Sequence, residues 1–574
     1  MSSVFDISGP HRAVWPRRVP AHIHPARTTL WDNLDITRRR YPDKDALRFF
    51  GGRTSFAQLH QDCEALAGWL REHAGVRPGD RVLLALQNSP QYVTAYYAVL
   101  RAGAVVVSSN PMSRRAEFAH YLIDSGARVA ICAADIAPEI LSCGGSLEAC
   151  LVVRYADCMP AQAATREAIP AAWQSWLLAD LPLPSGASAW RDALTLGCMP
   201  DAYQGRADDL MLLGYTSGTT GQPKGCMHTH ASVGHNVMAA PLWSGACEAD
   251  VVLSVLPLYH ITGMQSGMNT PIYTGATVVL MPRWDRDLAG RLIAEHRVSS
   301  WGSISTMLID LLAAPGRADF DLSSLRYIGG GGAAMPRAVA ERLREQYGLS
   351  YIEGYGLTET AAPSHSNPLN APRSQCLGVP YIGVDSRIID PETGVQLGPG
   401  EIGEIVTHGP QVFKGYWQRP EETAQAFIEI DGKSFFRTGD LGQYDDQGYY
   451  TMVDRLKRMI NASGLKVWPA EVETMLFAHP AIREACVIGA PDPYRGETVK
   501  ALIVPREGRE AECAPDLIIA WARERMATYK VPRSIEIVSA LPRSAVGKVL
   551  WRELQERERQ SAMGSSPSTA GAER

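Results

Sequence analysis

No apolar run in this sequence reaches the length of a membrane-spanning helix. The longest, 92–107, is broken by Arg101 and holds about 16 residues where roughly 18 are needed. Charge of one sign is not in excess either. In 574 residues, 56 Lys and Arg stand against 61 Asp and Glu, a formal charge of −5, which excludes a nucleic-acid binder by charge alone. The 11 cysteines are an odd number, and no two are closer than Cys143 and Cys150. Neither a CxxC metal pair nor a regular disulfide framework can be read, and reduced, mostly buried thiols are expected. The first residues, MSSVFDISGPHRAVWPRR, carry Asp6 and Pro10 and no apolar core; this is unlike a signal peptide and predicts a cytoplasmic protein. No period of roughly 20 to 50 residues marks a repeat array.

What is present is ordinary globular composition, 45% hydrophobic and 20% charged, in a chain long enough to divide into domains with separate cores. Strand-length apolar runs alternate with helix-period segments: 81–86 then 92–100, 128–132, 251–256, 277–281 then 288–296, and 326–328 then 337–347. This order predicts α/β layers. The Ala-, Pro-, Gly- and Ser-rich stretch 156–202 reads as a surface excursion. After Gly400 short β-like pieces follow closely on Gly and Asp turns, and a boundary falls near 454–457. The expected organisation is a large domain over 1–455 and a small α+β domain over 456–558. A polar tail over 559–574, with no apolar face to bury, is expected to be disordered.

Three segments carry chemistry. Residues 210–225, LMLLGYTSGTTGQPKG, run an apolar strand into four Ser/Thr hydroxyls, three Gly and a Lys. Hydroxyls and backbone N–H groups at Thr216, Ser217, Gly218, Thr219, Thr220 and Gly221 can surround phosphate oxygens while Lys224 supplies charge. No Gly-Lys-Ser/Thr run closes the loop, so it is not a Walker A loop. In YGLTET (355–360), Thr358 beside Glu359 at a strand end can bind an α-phosphate and a Mg²⁺ ion. In FRTGDL (436–441), Asp440 after a Gly can accept from two ribose hydroxyls.

The order YTSGTTGQPKG, PLYHITG, GGAAMP, YGLTET, FRTGD, DRLKRMINASGLKVWPAEVE and PRSAVGK resembles the adenylate-forming superfamily of acyl-CoA synthetases, luciferases and peptide-synthetase adenylation domains, and the resemblance covers nearly the whole chain. It implies that family's α/β fold: a large N-terminal domain of layered sheets and helices, a small mobile α+β C-terminal domain, and a site between them. It implies attack of a carboxylic acid on the α-phosphate of Mg·ATP, giving acyl-adenylate and pyrophosphate, then displacement of AMP by a thiol. Carried over by motif, the loop Thr216 to Lys224 holds the β- and γ-phosphates, with Thr219 and Glu359 at Mg²⁺ and Thr358 at the α-phosphate. Gly331, Gly332, Ala333, Ala334 and Tyr355 flank the adenine, and Asp440 with Arg455 the ribose. Lys548 bridges the acyl carboxylate and the α-phosphate, and His260 shapes the carboxylate site. Lys457 is the hinge, and Ser463 and Gly464 line the thiol tunnel. Arg458 departs from the acidic residue many members carry after the hinge. Basic residues such as Arg495, Lys530 and Arg543 are candidates for the phosphates of CoA.

Tyr259-His260-Ile261-Thr262 stands where peptide-synthetase domains hold an amine with an Asp, and no carrier module follows, so a free-standing CoA ligase is expected. Gly356 occupies the position of a pocket-closing Trp in acetate-activating relatives, which implies a longer acid. Met264, Trp301, Gly302 and Thr306 are the expected acyl wall. The phrasing around RMINASGLKVWPAEVE is most similar to bacterial medium- and long-chain fatty-acyl-CoA ligases. An aromatic or alicyclic acid stays open, since Trp301 can stack on a ring, and a non-catalytic acyl-nucleotide binder is the reading from another class. Partners are the acid, ATP and CoA, with membrane contact at most peripheral and a homodimer left open.

Overall fold

The computed structural model describes residues 9–24, 27–145, 147–162, 167–216, 223–313, 320–332, 334–462, 465–492, 496–543 and 549–564. By contacts the chain forms two units: Met1–Ser386 with Thr407–Phe436 and Gln447–Tyr449, and Arg387–Val406 with Arg437–Asp446 and Tyr450–Arg574. The architecture is α/β, with a large N-terminal sheet domain and a smaller C-terminal one.

Two sheets dominate the first unit. One runs in the order Ser188–Ala189, Ala149–Val153, Val129–Ala133, Arg81–Ala85, Val105–Ser108, Leu210–Thr216, Lys224–Thr229; every pairing is parallel except the last. The other has nine strands, with Tyr351–Leu357, Tyr327–Gly331, Ser300–Ser303, Val251–Ser254, Thr277–Leu280 and Asp45–Phe49 as its parallel centre. Antiparallel strands finish both edges. Strands such as Arg81–Ala85, Val105–Ser108, Val129–Ala133 and Val251–Ser254 are near-continuous Val, Ile, Leu and Ala because both faces are covered. Helix Pro90–Arg101 is buried along its whole length, as an all-round apolar helix must be. Its Tyr92 hydroxyl, 2.9 Å from the Leu258 carbonyl, ties it to the segment after Val251–Ser254.

The stretch 156–202 is more than a surface excursion. Trp173, Leu177, Trp190 and Ala193 are buried in the main core, and Ser188–Ala189 is an edge strand. Gly68 makes room for this packing. A Cβ there would lie 2.5 Å from the carbonyl carbon of Cys198, so the returning backbone rests directly on helix Phe56–Glu72.

In the second unit Leu465–Val467, Ile460–Ala462, Gly496–Pro505 and Ile482–Asp492 form an antiparallel sheet, with Ser534–Ile537 parallel on Gly496–Pro505. Val472 and Leu476 of helix Pro469–Phe477 and Ile518 of helix Pro515–Arg523 close its core. The last helix, Trp551–Gly564, runs into the stretch expected to be a tail; Leu554 and Trp551 pack on the sheet and supply the apolar contact that a free tail would lack. Among the described residues, no helix is long and apolar enough to cross a membrane.

Candidate functional site

The strands on either side of the Ser/Thr/Gly segment pair with each other. Leu210–Thr216 pairs with Lys224–Thr229 so that Thr216 faces Lys224 and Tyr215 faces Gly225. Ser217, Gly218, Thr219, Thr220 and Gly221 lie outside the described residues. The second hairpin strand is flanked by 414–417 on its other side: Met227 N donates to Gly415 O at 3.0 Å, Lys414 N to Met227 O at 2.9 Å and Trp417 N to Gly225 O at 2.8 Å.

Thr358 and Glu359 form a short 3₁₀ turn, Thr358–Thr360, directly against this hairpin. A Cβ on Gly214 would come within 2.9 Å of Thr358 Cγ2, so a glycine in the strand lets the turn sit close. Two motifs 134 positions apart in sequence numbering from Lys224 to Thr358 are thereby one structural feature. His228 Nε2 donates to Thr358 O at 2.7 Å. The carbonyl only accepts, so this fixes the tautomer and leaves Nδ1, 3.2 Å from Ser232 Oγ, as the acceptor. Burial pushes the His228 pKa down to about 4. Glu359 is buried; Tyr416 OH donates to its Oε1 at 3.0 Å and Phe413 N to its main-chain oxygen at 2.8 Å.

The turn is left through two consecutive left-handed alanines, Ala361 (φ 50°) and Ala362 (φ 77°). Each costs about 1 kcal/mol or more for a residue with a Cβ. Asn236 Nδ2 donates to Thr360 O (3.2 Å), Ala361 O (2.9 Å) and Pro363 O (3.2 Å). Gln265 Nε2 reaches Ala361 O at 3.2 Å, and Thr360 Oγ1 reaches Ala362 O at 2.8 Å. These donors hold the strained exit in place.

Lys224 Nζ is ion-paired with Glu422 and lies 5.3 Å from the centre of the Tyr416 ring. Burial, then Arg419, moves its pKa down. Arg419 in turn binds Asp124 at 2.7 Å, and Tyr215 OH donates to the other Asp124 oxygen at 2.8 Å.

On the neighbouring sheet Gly331 and Gly332 end strand Tyr327–Gly331, and a Cβ on Gly331 would meet Gly354 O at 2.4 Å. Ala333 is outside the described residues and Ala334 is exposed. Tyr355 pairs across strands with His365, ring centres 5.6 Å apart. Beneath the glycines Glu353 is buried, its oxygens accepting from Met335 N (3.2 Å) and Gln375 N (2.6 Å). Burial lifts its pKa to about 7 against those two hydrogen bonds.

The expected acyl wall is only partly brought together. His260 directly precedes the helix Ile261–Met264 without a side-chain capping bond, and the helix continues as a π turn, Gln265–Asn269. Met264 and Trp301 are not at an open surface: both are in the main core, and Trp301 stacks on Trp284 with centres 5.7 Å apart. The physical reason is strand alternation. Trp301 and Gly302 point to opposite faces of Ser300–Ser303, and the Gly302 side faces Ser266, 3.0 Å from a built Cβ. Thr262, Ser266 and Thr306 are exposed. Gly356 is glycine for a backbone reason as well, since a Cβ would lie 2.0 Å from Ala362 O.

In the second unit Asp440 is buried and paired across strands with Arg455, whose Nε is 3.0 Å from its carboxylate. Lys457 lies in the turn Leu456–Arg458. Arg458 is anchored by Glu473 and by Val487 O at 3.1 Å, which shows what the departure from an acidic residue does: it ties the turn to helix Pro469–Phe477. Ser463, Gly464, Arg495 and Lys548 fall outside the described residues. Lys530 and Arg543 are already paired with Glu471 and Glu484.

Sequence reasoning missed His228, Asn236, Gln265, Tyr416 and Glu422. Asn236 and Gln265 had a signal, an amide set in an otherwise apolar helical run; Tyr416 and Glu422 had none.

Comparison with known proteins agrees with this geometry. The family model described as AMP-binding enzyme matches residues 34–417, and that of the AMP-binding enzyme C-terminal domain matches 471–548. The chain is 35% identical to a long-chain-fatty-acid–CoA ligase of Bacillus subtilis over 96% of its own length and 98% of the relative's. It is 36% identical to a feruloyl-CoA synthase of an Amycolatopsis species, covering 90% and 97%. The crystal structure of the anthranilate CoA ligase AuaEII in complex with anthranoyl-AMP superposes with a TM-score of 0.79 at 27% identity, covering 94% of this chain and 99% of that one. The chain therefore belongs to the AMP-binding enzyme family and is an AMP-forming acid–thiol ligase, an ATP-dependent acyl-CoA ligase.

Proposed function

We propose that the acid is a medium- or long-chain fatty acid. The observation that carries this is the Bacillus subtilis relative, whose name gives a long-chain fatty acid and which matches over nearly its whole length. The sequence also puts Gly356 where a bulky side chain would shorten the pocket. In this reading the acid carboxylate attacks the α-phosphate of ATP with pyrophosphate leaving, and the thiol of CoA then displaces AMP from the acyl-adenylate. A carboxylate cannot expel oxide, whereas the adenylate expels AMP.

The residue roles follow the motifs. Lys224 and the loop before it hold the β- and γ-phosphates, and Thr358 places its hydroxyl at the α-phosphate. Glu359 takes Mg²⁺, for which its buried carboxylate suits as a hard oxygen ligand; the ion supplies charge neutralisation on the phosphates when bound. Gly331, Gly332, Ala333, Ala334 and Tyr355 flank the adenine, Asp440 and Arg455 the ribose. His260 shapes the carboxylate site and Lys548 joins carboxylate to α-phosphate. Lys457 is the hinge, with Ser463 and Gly464 along the pantetheine path.

A second reading, a ring-acid ligase, is favoured by the feruloyl-CoA synthase relative. AMP release from purified protein with ATP, Mg²⁺ and CoA, over acids from acetate to palmitate plus benzoate, ferulate and a bile acid, decides between them. The expected maximum lies between hexanoate and palmitate; a higher specificity constant on a ring acid would replace the fatty-acid reading.

A further inference from the structure

The alternating charges around Lys224 have an order that packing alone does not require. Lys224 pairs with Glu422, Glu422 lies 3.8 Å from Arg419, Arg419 is bound to Asp124, and Asp124 accepts from Tyr215, the residue before Thr216. The two inner members are settled. Asp124 is 6% exposed and accepts from both Arg419 and Tyr215, so it anchors the guanidinium whatever Glu422 does. The outer pair is different. The Lys224 side chain is 11% exposed beneath Tyr416, while that of Glu422 is 34% exposed on the short helix Pro420–Gln425. A lysine with little access to water has been given a carboxylate with more.

We propose that Glu422 is an internal counter-ion that occupies Lys224 when no nucleotide is bound and thereby sets the affinity for polyphosphate. The proposal rests on the reading that Lys224 faces the β- and γ-phosphates. A polyphosphate arriving at Lys224 competes with the Glu422 carboxylate for the same ammonium, and two anions on one ammonium repel each other. Glu422 is the one that can turn outward, because its other cation among the described residues is 3.8 Å away and already held by Asp124. Left with no anion, a nearly buried Lys224 would be costly, so the carboxylate compensates its charge before a ligand arrives and weakens the first contact with that ligand. Glu422 does not touch reacting atoms; it acts through Lys224 and is a positioning residue.

The test uses the full-length protein and two probes, Mg·ATP and inorganic pyrophosphate, titrated calorimetrically without acid or CoA. Glu422→Gln keeps size and shape and removes one negative charge beside Lys224. At an effective dielectric between that of a protein surface and water, this corresponds to about three- to tenfold tighter binding of both probes. KM for ATP falls by a similar factor, while kcat at saturating ATP does not rise. Glu421→Gln removes the same charge from the exposed neighbour on the same helix and changes binding less than twofold. In a Lys224→Met background Glu422→Gln has no effect. Unchanged or weaker binding in Glu422→Gln, or an equal gain in Glu421→Gln, overturns the counter-ion role while leaving the phosphate reading intact. If the wild type binds neither probe, or Lys224→Met binds as well as wild type, the phosphate reading fails and the proposal falls with it.

Discussion

His228 donates its Nε2 hydrogen to the carbonyl of Thr358 at 2.7 Å, and this bond fastens the hairpin to the turn that carries Glu359. An imidazolium would donate in the same way, but burial disfavours its charge, so the ring is neutral here. Its pKa is lowered from 6.5 to about 4 by burial, so the unfolded chain takes up a proton at a higher pH than the folded one. The stability contributed is complete above pH 6.5 and is lost as pH falls from 6.5 through 4, by about 3 kcal/mol in all. His228→Gln, which has no such titration, should lose its deficit relative to wild type over that window. Denaturant titrations at pH 7, 6, 5 and 4 measure this, and a constant gap would show that the imidazole is not buried neutral. At pH 7.5 the variant should raise KM for ATP several-fold.

Two glycines near the turn differ in what a methyl group would strike, and their alanine variants should differ accordingly. At Gly356 the obstacle is the Ala362 carbonyl, 2.0 Å away and part of the strained exit. Backbone must move, and Gly356→Ala should cost more than about 3 kcal/mol or fail to fold. At Gly214 the obstacle is the Thr358 methyl at 2.9 Å, which can rotate. Gly214→Ala should fold, lower the melting temperature by only a few degrees and raise KM for ATP as the Thr358 hydroxyl is displaced. A Gly356→Ala protein as stable as wild type would remove the backbone account of that glycine.

Asn236 is one side chain serving three carbonyls of the strained exit. Asn236→Leu removes the donor shared by these three buried carbonyls and leaves the left-handed Ala361 and Ala362 held only by Gln265 Nε2 and Thr360 Oγ1 among the donors named above. A loss of about 2 to 4 kcal/mol is expected, with kcat changing more than KM for the acid because Glu359 lies two residues before the exit. Gln265→Leu, which removes one bond to Ala361, should cost less. Equal melting temperatures for Asn236→Leu and wild type would refute the clamp.

Much of this was legible in the sequence, for a physical reason. Groups that wrap an anion are Gly, Ser, Thr and Lys at strand ends, and such residues interrupt apolar runs visibly, so the segments 210–225, 355–360 and 436–441 stood out. The acyl wall did not. Trp301 and Gly302 are adjacent strand residues and point to opposite faces, and Met264, expected beside this wall by sequence or register, is buried in the main core. Trp173 and Trp190 were outvoted by the Pro and Gly around them, yet two tryptophans in a loop are themselves a sign of burial. Tyr416, Glu422 and Asp124 were out of reach because no local pattern links residues so far apart along the chain.

Glu353 supplies a pH dependence of opposite sign to that of His228. It lies buried below the glycine-rich strand end, its pKa raised from 4.5 to about 7. The folded chain therefore holds a proton that the unfolded chain releases. Its contribution to stability is full below pH 4.5, is lost as pH rises through 7, and amounts to about 3 kcal/mol over that span. Glu353→Gln pairs well with only one of the two backbone donors, Met335 N and Gln375 N, because its amide nitrogen cannot accept. It should be less stable than wild type at pH 5, and the gap should close as pH rises to 8, since only the wild-type side chain must then ionise in the interior. Because Met335 belongs to the GGAAMP segment proposed to flank the adenine, wild-type KM for ATP should also change between pH 6 and 8 in a way Glu353→Gln does not. A stability gap that stays constant from pH 5 to 8 would mean that the two N–H donors outweigh burial and keep the carboxylate ionised throughout.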